Sequence, residues 1–284
     1  MAITNFQPEV WSPLILANLR SALVYGQDGL INRDYEGDIA NAGDTVHITS
    51  FTDPAVRDYT KNTDISWDLL TDSTRALPVD QADYFAFTVD DIDRRQALQG
   101  FVAKASQGAA YNLASEADAY LSAAMYAAVN GGANDLGAFA AVIASDNMYD
   151  LFVDFRTTLN RDNVPSQGRW VVVSPEVTAA LLKDDRFIRA DAAGTTAGLR
   201  NGEVGRIAGF TVFESNETPD PTASVFAVLA GHPIATTYAE QITETEALRL
   251  QDQFGDGVRG LHLYGAKVVQ PTALALASVT ITAT

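Results

Sequence analysis

Hydrophobic and polar residues alternate strictly in two stretches of the first third of the chain. Thr45–Phe51 places aliphatic residues between polar ones, and Tyr84–Val89 alternates aromatic and aliphatic residues with Ala and Thr. Such alternation is typical of a half-buried strand. The stretch between them, roughly Asp53–Asp80, is polar, and long connections of this kind are often functional arms. Residues 36–90 are therefore predicted to form an extended hairpin.

The pattern changes to helical spacing over residues 91–129. Small and apolar residues recur there at intervals of three and four, and Asp90 or Asp91 is placed to cap the first turn. They form a stripe of Phe101, Ala105, Ala109, Leu113, Ala117, Tyr120, Leu121, Ala124 and Ala128. The glycine pair at Gly131 and Gly132 predicts the end of the helix. At about 1.5 Å per residue the helix would span about 58 Å, which is unusually long for a globular domain. Gly100 and Gly108 are positions at which it could bend or be interrupted.

Residues 1–35 contain one amphipathic helix in an otherwise extended and polar arm. Ser12 is predicted to cap this helix, Pro13 takes its first position, and Gly26 ends it. Because one short helix buries little of its own surface, the arm is expected to pack on something else.

Residues 133–250 are predicted to form a compact α/β region, with a further helix from Asp146 to about Asn160. Its apolar residues share one face, namely Met148, Leu151, Phe152, Phe155 and Leu159. The run Trp170–Val173 is apolar throughout, which is typical of a fully buried strand.

A second helix is predicted directly after this strand. Ser174-Pro175-Glu176 is a helix start, and Leu181 and Leu182 are expected on the buried face. Later stretches have strand character, and residues 251–284 return to it after residue 250. The predicted strands are Arg206–Phe213, Ser224–Ala230, Gly260–Gln270 and Leu276–Thr282.

Composition narrows the class of protein. The 284 residues are 47% hydrophobic and 19% charged, which fits a globular protein, and no apolar run is long enough to span a membrane. No cysteine is present, which removes disulfides, thiolate catalysis and Cys-ligated metals. The formal net charge is −17, so the chain repels a phosphate backbone on average. Such a charge suits a container wall around DNA, and it equally suits simple solubility.

No reaction centre can be identified in the sequence. The three histidines, His47, His232 and His262, lack metal-ligand spacing partners, and a structural role is the default for each. The segment Gly255–Gly260 matches a dinucleotide-binding pattern in letters only, since no buried strand precedes it and no helix follows, and a turn is expected instead. No catalytic, cofactor-binding or metal-binding residue is predicted. A soluble α/β enzyme with carboxylate chemistry remains an alternative.

Two segments carry a family resemblance. Trp170–Pro175 followed by Gly205–Ser215, with its G-x-I-x-G-F-x-V pattern, resembles the coat subunit of tailed bacteriophages, the Hong Kong 97-like capsid fold. The segments Ser12–Tyr25 and Gly43–Ile48 add to the likeness. The resemblance implies an α+β fold and no enzymatic activity.

The resemblance also implies a division of the chain into five parts. These are an N-terminal arm (1–35), an extended hairpin or E-loop (36–90), a spine helix of the peripheral domain (91–132), a central α/β axial domain (133–250) and C-terminal strands returning to the peripheral domain (251–284).

A coat subunit of this family is expected to assemble with other copies of itself. The resemblance implies pentamers and hexamers that close an icosahedral shell around double-stranded DNA, in a virion assembled in the host cytoplasm. Because the chain runs from Met1 directly into the arm, a separate scaffolding protein is expected, together with a portal and possible decoration proteins. An encapsulin, a related shell that stores an enzyme, is the alternative within the fold. No membrane partner and no cofactor are expected.

Contacts between subunits are predicted from charge. A basic hairpin tip and an acidic helix start occur in one self-assembling chain, and opposite charges on neighbouring copies would pair. The residues are Arg57, Lys61 and Arg75 on the tip, with Asp90, Asp91 and Asp93 as acids on the neighbour. Covalent crosslinking through Lys61 is not expected, because its sequence surroundings are polar and favour a solvated or ion-paired lysine.

Overall fold

A computed structural model provides the structure of the chain. It describes residues 23–34, 45–51, 54–59, 61–62, 64, 67–69, 72–90, 101–142, 147–183, 203–222, 224–249 and 255–282. The predicted arm helix runs from Ser12 to Gly26, and its part before Leu23 lies outside these residues. Leu23, Val24 and Tyr25 are described and are not helical, so the predicted end at Gly26 is wrong. Asp91 and Asp146, at two other predicted helix starts, also lie outside the described residues.

The described residues contain three α-helices and eleven strands. In chain order they are β1 (Thr45–Phe51), β2 (Asp72–Pro78), β3 (Gln81–Asp90), α1 (Phe101–Val129), β4 (Asp135–Val142), α2 (Met148–Arg161), β5 (Trp170–Val173), α3 (Pro175–Leu181), β6 (Glu203–Ile207), β7 (Phe210–Glu214), β8 (Val225–Gly231), β9 (Thr236–Arg249), β10 (Gly255–Val268) and β11 (Leu274–Thr282). They form a two-stranded sheet β1-β2, a three-stranded sheet β3-β10-β9, and a six-stranded sheet β4-β11-β8-β5-β7-β6.

The largest sheet is built around the predicted buried strand. All four residues of β5 are buried, and β5 pairs in parallel with β7 and antiparallel with β8. Helix α2 packs with its apolar face inward, as its spacing predicts, since all five predicted residues are buried. The core of the protein therefore lies between this sheet and its helices.

The predicted start of α3 is confirmed, but one of the two residues predicted on its buried face is exposed. The Ser174 hydroxyl accepts a hydrogen bond from the Val177 N–H at 3.4 Å, and Pro175 takes the first helical position. Leu181 is buried, but Leu182 is about half exposed, so its predicted burial is wrong. The helix ends at Leu181, and Leu182 is the residue that caps its C-terminal end.

The predicted strand Arg206–Phe213 is wrong, because the structure has two strands there. β6 and β7 pair as an antiparallel hairpin, and the two residues between them, Ala208 and Gly209, have φ values of 50° and 92°. Two consecutive positive φ values are the signature of the tight turn that suits the twist of a hairpin. The turn is short and sits inside an apolar run, so the pattern looked continuous.

The extended hairpin pairs differently from the prediction. β1 pairs with β2, from Thr45 opposite Pro78 to Phe51 opposite Asp72, whereas β3 pairs with β10. β2 was missed because its sequence, DSTRALP, shows no alternation and ends in proline. The end of β2 anchors the hairpin. Leu77 on this strand and Val79 just after it are buried in a small cluster with Ala239 and Leu263.

The glycines of β10 stand where another residue approaches closely. Gly255–Gly260 lies within β10, so the predicted turn is wrong. A Cβ on Gly260 would lie 2.3 Å from the Phe85 ring, and one on Gly265 would lie 2.2 Å from the Pro78 carbonyl oxygen. These glycines therefore permit close packing within and against the three-stranded sheet.

The strands are not divided between the sheets according to the expected domain boundary at residue 250. β9, from the predicted axial region, belongs to the three-stranded sheet, and β11, from the predicted returning strands, lies inside the six-stranded sheet between β4 and β8. Chain order could not show this, because hydrogen-bond pairing across long connections decides it.

The long helix is continuous over its described length. α1 has 29 residues, which corresponds to about 43 Å, and it continues through Gly108 without interruption. Its buried stripe contains the predicted Leu113, Ala117 and Leu121. Ala128 is exposed, contrary to prediction, because the stripe passes through Met125 and Val129 instead.

Candidate assembly surfaces

The loop between β1 and β2 is held in shape by one aspartate. The Arg57 Nη2 donates to Asp68 Oδ1 at 2.6 Å, and the Ala55 backbone N–H donates to Asp68 Oδ2 at 3.1 Å. Asp68 thereby joins the two limbs of the loop. We call the described residues between 54 and 69 the hairpin loop.

The predicted contact residues occupy exposed positions on the hairpin, as far as they are described. Arg57 pairs with Asp68 of its own loop, Lys61 is exposed beside the hairpin turn residue Asn62, and Arg75 is exposed on β2. Asp90 is the last residue of β3. Asp91 and Asp93 lie outside the described residues. Pairing of the basic residues with these acids on a neighbour stays a prediction.

Large apolar side chains are exposed on the hairpin loop. Val56, Tyr59, Trp67 and Leu69 are exposed to 101%, 75%, 86% and 93%. On the body of the protein, Tyr84 of β3 and Tyr111 of α1 are exposed as well. Clustered exposed apolar residues mark surfaces that another molecule covers.

One buried carboxylate of α1 holds the segment that precedes the hairpin. Asp118 accepts hydrogen bonds from the Val24 N–H at 2.6 Å and the Gly26 N–H at 3.0 Å. Burial raises the pKa of Asp118 to about 7; the backbone hydrogen bonds lower it, and the nearby Glu217 charge raises it further. The long helix and the segment from Val24 to Gly26 are therefore joined through a desolvated acid.

A second buried carboxylate holds the same segment from the three-stranded sheet. Glu240 of β9 pairs with the Arg33 guanidinium, accepts a hydrogen bond from the Tyr238 hydroxyl at 2.9 Å, and lies 3.4 Å from His262 Nε2. Burial raises the pKa of Glu240, but His262, Arg33 and Tyr238 outweigh burial and bring it below its ordinary value. Arg33 also donates to the Gly26 carbonyl at 2.7 Å, so the two attachments are linked.

The histidines that are described stand in structural positions. His232 accepts a hydrogen bond from the Ile234 N–H at 3.2 Å and caps the short 3-10 helix Pro233–Ala235. His262 is fully buried and stacks on the Tyr264 ring at 4.9 Å. The side chain of His47 lies outside the described part of the structure.

Within the described ranges, no group of three or more His, Asp or Glu side chains is placed to hold a metal ion. None of the described helices is long and apolar enough to cross a membrane.

Sequence reasoning missed the buried acids. Asp118 left a signal, because it is a charged residue within a stripe of small apolar residues on a helix. Glu240 and His262 left none, because they meet only through the pairing of β9 with β10.

Comparison with known proteins gives the class and then the family. Residues 71–277 of the chain match the model of a protein family described as phage capsid protein. A solved structure from Mycobacterium phage Che8 is 32% identical, with a TM-score of 0.66, covering 97% of this chain and 98% of that chain. The capsid of cyanophage P-SCSP1u is 15% identical, with a TM-score of 0.68 and coverages of 93% and 90%. No curated protein sequence matches the chain.

The sheets, the long helix and the exposed hairpin thus define a shell subunit with the Hong Kong 97-like α+β fold. The chain belongs to the phage capsid protein family, as a major capsid protein of tailed phages. A virus-like particle from Pyrococcus furiosus is also similar, at 10% identity and a TM-score of 0.57 with coverages of 95% and 98%, which shows the fold alone. The encapsulin alternative is less well supported, because the family match is to phage capsid proteins.

Proposed function

We propose that the chain assembles as pentamers and hexamers into an icosahedral shell that encloses double-stranded DNA, with a structural and not a catalytic role. The observation that carries this proposal is the match to phage capsid proteins over residues 71–277. The net charge of −17 agrees with it, because an acidic wall does not adhere to packed DNA. Assembly in the host cytoplasm, aided by a scaffolding protein and a portal, and decoration proteins on the finished shell belong to the same proposal.

The sheets suggest how the subunit is divided. We assign the β1-β2 hairpin as the extended E-loop, and α1 with the sheet β3-β10-β9 as the peripheral domain. The six-stranded sheet with α2 and α3 is then the axial domain. The segment around Arg33 is the end of the N-terminal arm, attached to the peripheral domain by Asp118 and Glu240.

Electron microscopy of the purified native assembly tests the proposed function. We expect closed shells tens of nanometres across, with DNA as their content in particles from infected cells. Protein cargo in place of DNA would favour the encapsulin alternative. A homogeneous small oligomer, even at high concentration with a scaffolding protein supplied, would contradict the shell.

We further propose that the basic residues of the hairpin pair with acids on a neighbouring subunit. Reversal of all three charges, with Arg57→Glu, Lys61→Glu and Arg75→Glu in one chain, is expected to reduce the yield of shells several-fold. Each exposed ion pair contributes only about 0–1 kcal/mol, so a combined change across many copies is needed to see the effect. Shell yield is measured by sedimentation and microscopy.

A matched control separates pairing from net charge. Lys183, Arg206 and Lys267 are also exposed, and their reversal to Glu changes the net charge equally. Adding Asp90→Lys, Asp91→Lys and Asp93→Lys to the hairpin variant is expected to restore assembly. Equal yields from the hairpin variant and the native chain would contradict the pairing.

A further inference from the structure

The loop between β7 and β8 is fastened to one face of the long helix α1. The Ser115 hydroxyl donates to Glu217 Oε1 at 2.6 Å, and the Ser122 hydroxyl donates to the Glu217 carbonyl oxygen at 2.6 Å. Ser115 and Ser122 are about two helical turns apart, so both lie on the same face of α1. Glu217 therefore binds α1 at two successive turns.

The same loop is joined firmly to the six-stranded sheet. Its first residue, Ser215, donates its N–H to the Val173 carbonyl oxygen of β5 at 3.0 Å. Inside the loop, the Glu217 N–H donates to Ser215 Oγ at 3.1 Å, and the Thr218 hydroxyl donates to the Ser215 carbonyl oxygen at 3.1 Å. The loop is thus held in one shape, and through it Glu217 links α1 to the six-stranded sheet.

Asp118 lies on α1 between the two serines that hold Glu217. It follows Ser115 by three residues and precedes Ser122 by four, so it shares their face of the helix. Its carboxylate fastens the segment from Val24 to Gly26 through two backbone N–H groups. One face of α1 therefore carries two neighbouring attachments, one to the segment before the hairpin and one to the six-stranded sheet.

A cavity of about 200 Å³ lies between these two attachments. It is lined by Val24 of the fastened segment, by Ser115 and Asp118 of α1, by Glu214 at the end of β7, and by Glu217. None of the described side chains that line it is Lys, Arg or His. Burial raises the pKa of Asp118, and the Glu217 charge raises it further. The two carboxylates therefore repel each other when both are ionised.

The other titratable groups around Asp118 do not cancel this repulsion. They are phenols from three elements, namely Tyr25 of the fastened segment, Tyr111 of α1 and Tyr238 of β9. Burial raises the pKa of Tyr25 and of Tyr238 well above the ordinary value, so these two are uncharged. The cation of the same segment, Arg33, is paired with Glu240. The Glu217 charge is therefore left to act on Asp118.

We propose that the joint between α1 and the six-stranded sheet is a proton-sensitive switch formed by Asp118 and Glu217. When Asp118 holds a proton, Glu217 binds Ser115 beside a neutral side chain. When Asp118 gives this proton to solvent, two carboxylates face each other across the cavity, and their repulsion favours release of Glu217 and its loop from α1. Because coupling between sites is reciprocal, a bound Glu217 also makes Asp118 harder to ionise. The switch belongs to the single subunit and stands whether or not shells form.

Titration of Asp118 in the full-length, unassembled subunit tests the coupling. Carbon NMR of labelled aspartate carboxyl groups follows the ionisation, and the Asp118 signal is the one that Asp118→Asn removes. We expect the pKa of Asp118 to be lower in Glu217→Gln than in the native chain, because the like charge is gone. Asp220→Asn is the matched control and is expected to leave the titration unchanged, since Asp220 is an exposed acid of the same loop that does not line the cavity.

Hydrogen exchange of the loop gives the reciprocal measurement. Protection of the Glu217 and Thr218 amides, corrected for the intrinsic pH dependence of exchange, is expected to fall several-fold as pH rises from about 5 to about 8. In Asp118→Asn it is expected to stay constant. Loop protection that does not change with pH in the native chain would overturn the switch, even where a variant is too unstable to titrate. An unchanged Asp118 titration in a folded Glu217→Gln subunit would overturn it as well.

Discussion

Replacement of Glu240 by alanine is expected to lower the free energy of unfolding of the subunit by about 3–5 kcal/mol. The side chains of Glu240 and Arg33 are 0% and 9% exposed, so the substitution removes a buried counter-charge from Arg33. The exposed Asp28, 3.9 Å from Arg33 Nε, remains. The Tyr238 hydroxyl loses its acceptor at the same time. Urea denaturation of the full-length, unassembled subunit measures the loss.

Glu246 provides the matched control on the same strand. It also pairs with an arginine, Arg259, but both side chains are about half exposed, and such a pair is worth only about 0–1 kcal/mol. Glu246→Ala is therefore expected to change stability little. Equal losses for the two variants would show that burial of the Arg33–Glu240 pair is not what stabilises this region.

Asp118 is expected to make the stability of the subunit fall as pH rises toward neutrality. Its folded-state pKa, about 7, is above its ordinary value of 3.8, so the folded chain holds this proton more tightly than the unfolded chain. The stabilisation is complete below the ordinary pKa and is lost as pH rises to about 7. The total change is on the order of 4 kcal/mol, or about 1.4 kcal/mol per pH unit.

Asp118→Asn removes this titration and keeps one oxygen acceptor for the arm. The stability of the native chain minus that of the variant is expected to fall as pH rises from 3.8 to about 7, and to level off above that range. Denaturation at a series of pH values measures it. Asp135→Asn is the control, since Asp135 also accepts from two backbone N–H groups, at Gly131 and Gly137, but is only partly buried. A native-minus-variant difference independent of pH for Asp118→Asn would contradict the prediction.

Asp118 and Glu240 both bind the same segment of the chain. Asp118 and Glu240 fasten the segment from Val24 to Arg33 to the long helix and to the three-stranded sheet. Weakening either attachment is therefore expected to release the segment from Val24 to Arg33 before it disturbs the six-stranded sheet, whose core is apolar.

Elements with strong local signals could be predicted from the sequence. Trp170–Val173 is apolar throughout, and a strand covered on both faces is the structure that buries such a run. Ser174 and Pro175 start a helix through bonds within a few residues. The inward face of α2 follows from residue spacing in the same way.

Pairing between strands could not be predicted in the same way. β2 has no alternation, so the partner of β1 was hidden, and the turn at Ala208 and Gly209 was hidden within an apolar run. The glycine pattern of Gly255–Gly260 is compatible with several structures. Here the Phe85 ring lies so close to Gly260 that a side chain at this position would collide with it.

For the candidate sites too, local features could be predicted from the sequence and long-range contacts could not. Exposed cations on the hairpin could be predicted from composition and position, because polar loops lie on the surface. The hydrogen bonds between the Asn147 side chain and the backbone of β4 could not, since Asn147 lies at the start of the helix that follows this strand. Asp118 meets Val24 and Gly26 across 94 and 92 residues.

The sequence by itself determined the order of the strongest elements and the likeness to a coat subunit, because these depend on spacing, capping and turn residues that act over a few positions. The tertiary structure alone decided which strands share a sheet and which acids are buried. Those properties depend on contacts between residues far apart in the chain, whose free energies no local pattern records.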